Sequence, residues 1–247
     1  MLTATFSLLS GIDERAESRL WSQGIFYWDQ ALDSASLSPA QKTELRKYDQ
    51  YRQQGFHQPL KRLLERKGLA WRAFPDFRGR TAYVDIETTG IGRNAEITVI
   101  GVWDGNKFHA FIKDENLESF RSFISNYQYI VTFYGSNFDL PVISSRMGIQ
   151  FDQIHLDLCF ALMKIGYRGG LKHIEHQLGI VRQEPCVGLT GRDAVRLYQQ
   201  YERFGDQAAL KLLLDYNRED VVNLERLAIL LYNLSTDYCR QVMPQIG

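Results

Sequence analysis

Thr81-Ala-Tyr-Val-Asp-Ile-Glu-Thr-Thr-Gly90 is the stretch from which the fold can be read. Thr81 to Val84 has the texture of a strand, so Asp85 and Glu87 project from one face where that strand ends. Two carboxylates side by side repel, and such a pair is stable when a cation holds it. Hard oxygen donors with no Cys or His nearby favour Mg²⁺ or Mn²⁺ over Zn²⁺. Two further acidic signatures sit where the local pattern implies burial, Asn137-Phe-Asp139-Leu-Pro141 and Tyr216-Asn-Arg-Glu-Asp220. Leu213, Tyr216, Asp220, Leu224 and Leu227 recur at helical spacing, which puts Asp220 on an otherwise apolar stripe one turn after Tyr216. A buried, unpaired carboxylate costs several kcal/mol or takes up a proton. A metal ion supplies the missing partner.

Around these signatures the pattern changes along the chain. Ile97–Trp103 and Lys107–Ile112 read as strands joined by Asp104-Gly105-Asn106, a hairpin signal, and with the Asp85 strand they form a three-stranded meander. Leu117–Ser125 reads as a helix and Tyr129–Tyr134 as a buried strand. A helix then runs to about Met147, with Asp139 at its first turn or cap, because Pro141 is tolerated only near a helix start. Further helices are expected over Leu171–Leu178, roughly Asp193–Tyr201, and about Asp206–Leu231.

A chain of 247 residues, 45% hydrophobic, can bury one full α/β core and still carry a small extra module. Its net charge is zero but unevenly spread: residues 61–80 hold seven Lys or Arg against two acids, and residues 81–247 hold sixteen against twenty. Two readings of the basic segment stay open, a guide for a polyanion and a solvated helix face. Cys159, Cys186 and Cys239 are scattered, which argues against a disulfide framework or a zinc site. Met1 to Leu9 lacks a basic flank, and no 18-residue apolar run occurs, so a cytoplasmic protein without membrane association is the default expectation.

Residues 1–75 are expected to form a helical N-terminal region and 76–247 the main domain. Gly11-Ile12, a helix through Ala16 and Leu20-Trp21, the break at Gly24-Ile25 and a helix from Trp28 to Leu32 resemble one helix-hairpin-helix motif. Asp13 stands where that motif has its second glycine, and its carboxylate would face a phosphate unfavourably. Backbone binding and a purely structural helical pair are both open. Ser34–Pro39 reads as a connector, and Pro39–Lys67 as one or two helices broken at Gly55.

Taken together, a meander opening on Asp-x-Glu-Thr-x-Gly, a strand and helix carrying Asn-Phe-Asp, and a late helix carrying Tyr-x-x-x-Asp resemble the DEDD superfamily of 3′–5′ exonucleases over about residues 80–232. Tyr216 stands four residues before Asp220, and Asp215 occupies the place where the other branch has His, which is similar to the tyrosine branch. Phe133-Tyr-Gly-Ser-Asn-Phe-Asp-Leu-Pro-Val-Ile143 resembles the family-B polymerase form, with no polymerase domain following. The whole looks most like the free-standing YprB-type ribonuclease-H-like proteins. The resemblance implies an α/β, ribonuclease H-like (DnaQ-like exonuclease) fold: a mixed sheet flanked by helices, with a small helical N-terminal region.

Carried over residue by residue, it implies a site for two divalent cations, Mg²⁺ or Mn²⁺. Asp85 would bridge both, Glu87 and Asp220 would complete one, and Asp139 would hold the other. Tyr216 would orient the attacking water, since a phenol is a poor base at neutral pH. Thr88, Thr89 and Gly90 are candidates for contacts near the 3′ end, or a plain turn. Asn137 supports the Asp139 turn, caps it, or touches the terminal nucleotide. Lys172, Arg168 and Arg192 are candidate phosphate contacts and equally ordinary surface charges, and Asp157 is favoured as a structural carboxylate over a fifth ligand. The implied activity is metal-dependent 3′–5′ exonuclease cleavage of single-stranded nucleic acid, DNA favoured. The alternatives are an exoribonuclease and a non-catalytic nucleic-acid-binding scaffold.

Overall fold

A computed structural model of the chain describes residues 1–90, 92 and 94–242, without side-chain detail at 238 and 240–242. Five strands form one mixed sheet: β1 Thr81–Thr88, β2 Ile97–Trp103, β3 Phe108–Ile112, β4 Tyr129–Thr132 and β5 Ile154–Asp157. Their order is β3-β2-β1-β4-β5, with β1, β2 and β3 antiparallel and β1, β4 and β5 parallel. The meander and its turn form as the sequence implies. Asp104 Oδ1 accepts the amides of Asn106 and Lys107 at 2.8 and 2.7 Å, and Gly105 supplies the positive φ of 91° that the turn needs.

Helices cover both faces. They are α1 Glu14–Ser22, α2 Trp28–Asp33, α3 Pro39–Gln53, α4 His57–Lys67, α5 Ala70–Phe77, α6 Phe120–Ile124, α7 Asp139–Met147, α8 Leu158–Lys164, α9 Leu171–Gln177, α10 Gly191–Phe204 and α11 Gln207–Val242. The period of two along β1 sorts its side chains between the layers. Ala82, Val84 and Ile86 pack with Phe120 and Ile124 of α6 and Ile143 of α7. Tyr83 faces the other way, in a cluster with Phe74, Phe77, Leu224 and Leu227, so Asp85 and Glu87 continue a face roofed by α11.

That second cluster runs without interruption from Leu2, Phe6 and Trp28 to Tyr129 and Leu231, so the N-terminal helices share the apolar core of the sheet. Its polar pin is Glu17. One oxygen accepts the amides of Phe6 and Ser7 at 2.6 and 2.9 Å, and the other pairs with Arg72 Nη1 at 2.8 Å. The Arg72 guanidinium lies 5.6 and 5.3 Å from the Trp21 and Trp71 ring centres, within cation–π reach.

Five elements depart from the sequence expectation. β5 and α8 were not anticipated, because four-residue Ile154-His-Leu-Asp157 is too short to show a period and forms only by pairing with β4. α5 was also missed, since Pro75 lies inside it. β4 stops at Thr132, short of the expected Tyr134, which takes a left-handed φ of 64°. α11 continues past Leu231 to Val242: no Gly or Pro interrupts residues 207–242, and its later turns bury Ser235 and Cys239. No helix among the described residues is long and apolar enough to cross a membrane.

Candidate active site

β1 and α11 build the site between them. Asp85, Glu87 and Asp220 each offer an oxygen, and these oxygens lie within 4.8 Å of one another. The strand register shifts between Glu87 and Thr88, a local irregularity of the kind that re-aims a side chain at a strand end. From α11 the fully buried Asn217 donates Nδ2 to Asp85 Oδ2 at 2.9 Å. Asp85 pairs across the sheet with Gly101, and a Cβ there would lie 1.6 Å from Asn217 Oδ1. Glycine is required at 101 because an amide side chain fills the space. Gly101→Ala is therefore expected to push Asn217 off Asp85 and weaken Mn²⁺ binding about tenfold or more, read by calorimetry beside a thermal melt; unchanged binding would contradict this use of the space.

Burial and mutual repulsion act on the same four acids. Asp85 is pushed well above the usual carboxylate range by burial and then by Asp220, Asp139 and Glu87. Burial and Asp220 raise Glu87 to about 8. Burial raises Asp139 to about 7 against two backbone hydrogen bonds, and Asp220 to about 6 against the Arg182 charge. A concave set of hard oxygens that repel when ionised fits a divalent cation, so the residues present suit the metal that the sequence implies.

The pH dependence follows from the sign of these shifts. Groups whose folded pKa is raised stabilise the fold below their unfolded values near 4, and that contribution is lost as pH rises through about 6 to 8. The metal-free melting temperature is expected to fall between about pH 5 and about pH 8.5, and saturating Mn²⁺ to remove the decline. A metal-free curve that is flat or rising over that window would refute it.

Asp139 is the first residue of α7 and is buried, with Oδ1 accepting the Ile86 amide at 3.1 Å; it lies outside the triplet of converging oxygens. The cap of α7 is Phe138, without a side-chain capping bond, so the capping role considered for Asn137 is not what this exposed residue does. Thr88 Oγ1 donates to the Gly90 carbonyl at 2.6 Å, while Thr89 Oγ1 accepts the Glu96 amide at 3.0 Å, so both hydroxyls serve the turn. Asp157 is structural: its oxygens accept the amides of Tyr134, Ser136 and Cys159 at 2.8, 2.9 and 3.1 Å. Those bonds hold Tyr134 in its left-handed conformation, with the ring exposed and 5.9 Å from Phe160.

Tyr216 and Lys172 meet at the mouth. A cleft of about 400 Å³ is lined by Asp85, Phe133, Lys172, Thr190, Tyr216 and Asp220, among others. Lys172 Nζ lies 4.5 Å from the Tyr216 ring centre and donates to the Leu189 carbonyl. Burial, then Asp220, Glu87 and Asp85, push the Tyr216 phenol upward, so it stays protonated. Arg168 and Arg192 are exposed. Three residues were given no role by the sequence reading: Asn217, Arg182 and Glu175. Arg182 forks onto Glu175 at 2.7 and 2.8 Å and also donates to Asp220. No local pattern marks it, because its partners come from α9 and α11.

The first N-terminal turn is already filled. Glu44 accepts the Ser10 amide at 2.9 Å and its hydroxyl at 2.7 Å, and Asp13 caps α1 through the Ala16 amide at 2.7 Å. A carboxylate thus occupies the turn donor that a phosphate would need.

No curated protein matches the chain. Among solved structures, it is similar to the family B DNA polymerase from the hyperthermophilic archaeon Pyrobaculum calidifontis at 17% identity and a TM-score of 0.49, over 61% of this chain and 24% of the polymerase. The chain thus matches about a quarter of that protein's length. It is also similar to Brucella melitensis NrnC at 20% identity and a TM-score of 0.47, over 69% of this chain and 82% of NrnC. The same NrnC bound to pGG scores 0.44 at 20% identity, over 69% and 81%. A family model described as RNase_H superfamily matches residues 82–232, the span that carries all of the sheet but Thr81, α11 as far as Tyr232 and all four acids, and the chain belongs to that superfamily.

Proposed function

We propose that the chain is a metal-dependent 3′–5′ exonuclease of the tyrosine branch, YprB-type, that releases nucleoside monophosphates from single-stranded 3′ ends, with DNA the favoured substrate. The convergence of Asp85, Glu87 and Asp220 beside Tyr216 in an open cleft carries this reading. These acids, with Asp139 nearby, would hold two divalent cations, Mg²⁺ or Mn²⁺. Bound there, the ions supply charge neutralisation at the phosphate and a water of lowered pKa.

The chain's own residues position the reaction. Asn217 fixes Asp85 and Arg182 fixes Asp220. The protonated phenol of Tyr216 orients the water by a hydrogen bond, since a phenol pushed above its ordinary value near 10 stays protonated and is no base at neutral pH. The water oxygen bonds to phosphorus as the P–O3′ bond breaks; the water gives up its proton to solvent and the departing O3′ takes one from solvent, so the mononucleotide leaves with a 5′-phosphate and the shortened strand keeps a 3′-hydroxyl. Lys172 at the cleft mouth meets a phosphate, and the exposed Tyr134 ring, one residue on from the cleft-lining Phe133, offers a stacking face. Stacking and phosphate contact tolerate any base sequence.

The test is a time course on matched 5′-labelled single-stranded DNA and RNA with Mn²⁺ or Mg²⁺. A ladder shortening from the 3′ end supports the reading, and faster loss of RNA than DNA would make the chain an exoribonuclease. Binding that survives chelation, with no degradation of either strand, would replace the enzyme by a scaffold.

A further inference from the structure

Arg182 holds Asp220, and its surroundings say what that grip does. Its guanidinium is 8% exposed, between Glu175 at 2% and Asp220 at 7%. Nε and Nη2 form the fork onto Glu175, Nη2 also donates to Asp220 Oδ1, and Asn223 Nδ2 braces Glu175 Oε1 at 3.0 Å. Nη1 is buried with no hydrogen-bond partner among the described residues. Glu175 offsets part of the Arg182 charge, which still acts on Asp220, and the fork adds a fixed geometry to that charge.

We propose that Arg182 is a positioning residue that makes Asp220 a one-oxygen ligand. Holding Oδ1 stops rotation about the last torsion of Asp220, an otherwise broad and roughly two-fold torsion, and makes Oδ2 the oxygen that Asp220 would offer a cation shared with Asp85 and Glu87. Only a planar fork can grip Glu175 twice and reach Asp220 as well; an ammonium of the same charge is a point donor. The role rests on the metal-site reading above.

Mn²⁺ affinity of the full chain, read by electron paramagnetic resonance and by calorimetry, tests it with metal-free circular-dichroism melts alongside. Arg182→Lys keeps the charge and loses the fork, so its affinity should fall about 10- to 100-fold, the range for lost partners of metal ligands, while its metal-free melt stays close to the parent's. Raising Mn²⁺ should then restore its nuclease rate. Glu175→Gln loosens the grip by one hydrogen bond and should weaken affinity less, in the same direction. Unchanged or tighter Mn²⁺ binding in Arg182→Lys overturns the role. Should that variant not fold, Glu175→Gln decides: weaker binding supports the role and unchanged binding overturns it. A parent chain that binds no Mn²⁺ overturns the metal site itself, an outcome distinct from variants that bind as tightly as the parent.

Discussion

Asp85→Asn is expected to abolish metal-dependent shortening of a 5′-labelled single strand while leaving the metal-free protein as stable as the parent, or more so. The substitution keeps the shape and removes one carboxylate from the triplet. Losing a central ligand forfeits several kcal/mol of transition-state stabilisation, roughly 10³-fold or more in rate. Stability should move the other way, because ionised Asp85 is opposed by burial and by three like-charged neighbours. A structural carboxylate would show the reverse pair of effects. Single-turnover kinetics and a metal-free melt on the same sample check both signs, and a persisting ladder would remove Asp85 from the chemistry.

Glu17→Ala should be the most destabilising change of a single side chain in the N-terminal region. It leaves the Arg72 guanidinium buried without its counter-charge, and it strips the amides of Phe6 and Ser7 of their acceptor. Breaking one side of a buried ion pair costs about 3–5 kcal/mol. At about 2–4 °C per kcal/mol for a chain of this size, the melting temperature should drop by roughly 6–20 °C. A Glu17→Met, Arg72→Met double variant removes both charges and should recover much of that loss. A single variant that melts with the parent would mean that the N-terminal segment does not depend on this pin. Activity measured below the transition separates two uses of the region: a packing element leaves catalysis intact once the fold holds, whereas a recruiting element lowers it even then.

Much of the site was legible in the sequence because each part carries its own local period. Alternation along Thr81–Thr88 put Asp85 and Glu87 on one face, and the 3.6-residue stripe of α11 put Asp220 beneath Tyr216. The Asp-Gly-Asn turn fixed the hairpin for the same reason, since a single glycine and a side-chain acceptor suffice to make it. The limits of the reading lie where no period exists. β5 has four residues, and Tyr134 leaves the strand only because Asp157, 23 residues later, takes its amide.

The sequence alone put Asp85, Glu87 and Asp220 on faces that the structure brings together, because identity and spacing are properties of the chain. Tertiary structure decided what holds them. Asn217 reaches Asp85 across 132 residues of sequence, Arg182 reaches Asp220 across 38, and Glu17 reaches Arg72 across 55. It also decided that the turn at Ser10 is filled by Glu44, 34 residues away, which leaves that donor no opening for a phosphate. Such bonds depend on where the packed helices bring side chains together in space, and periodicity along the chain carries no record of that distance.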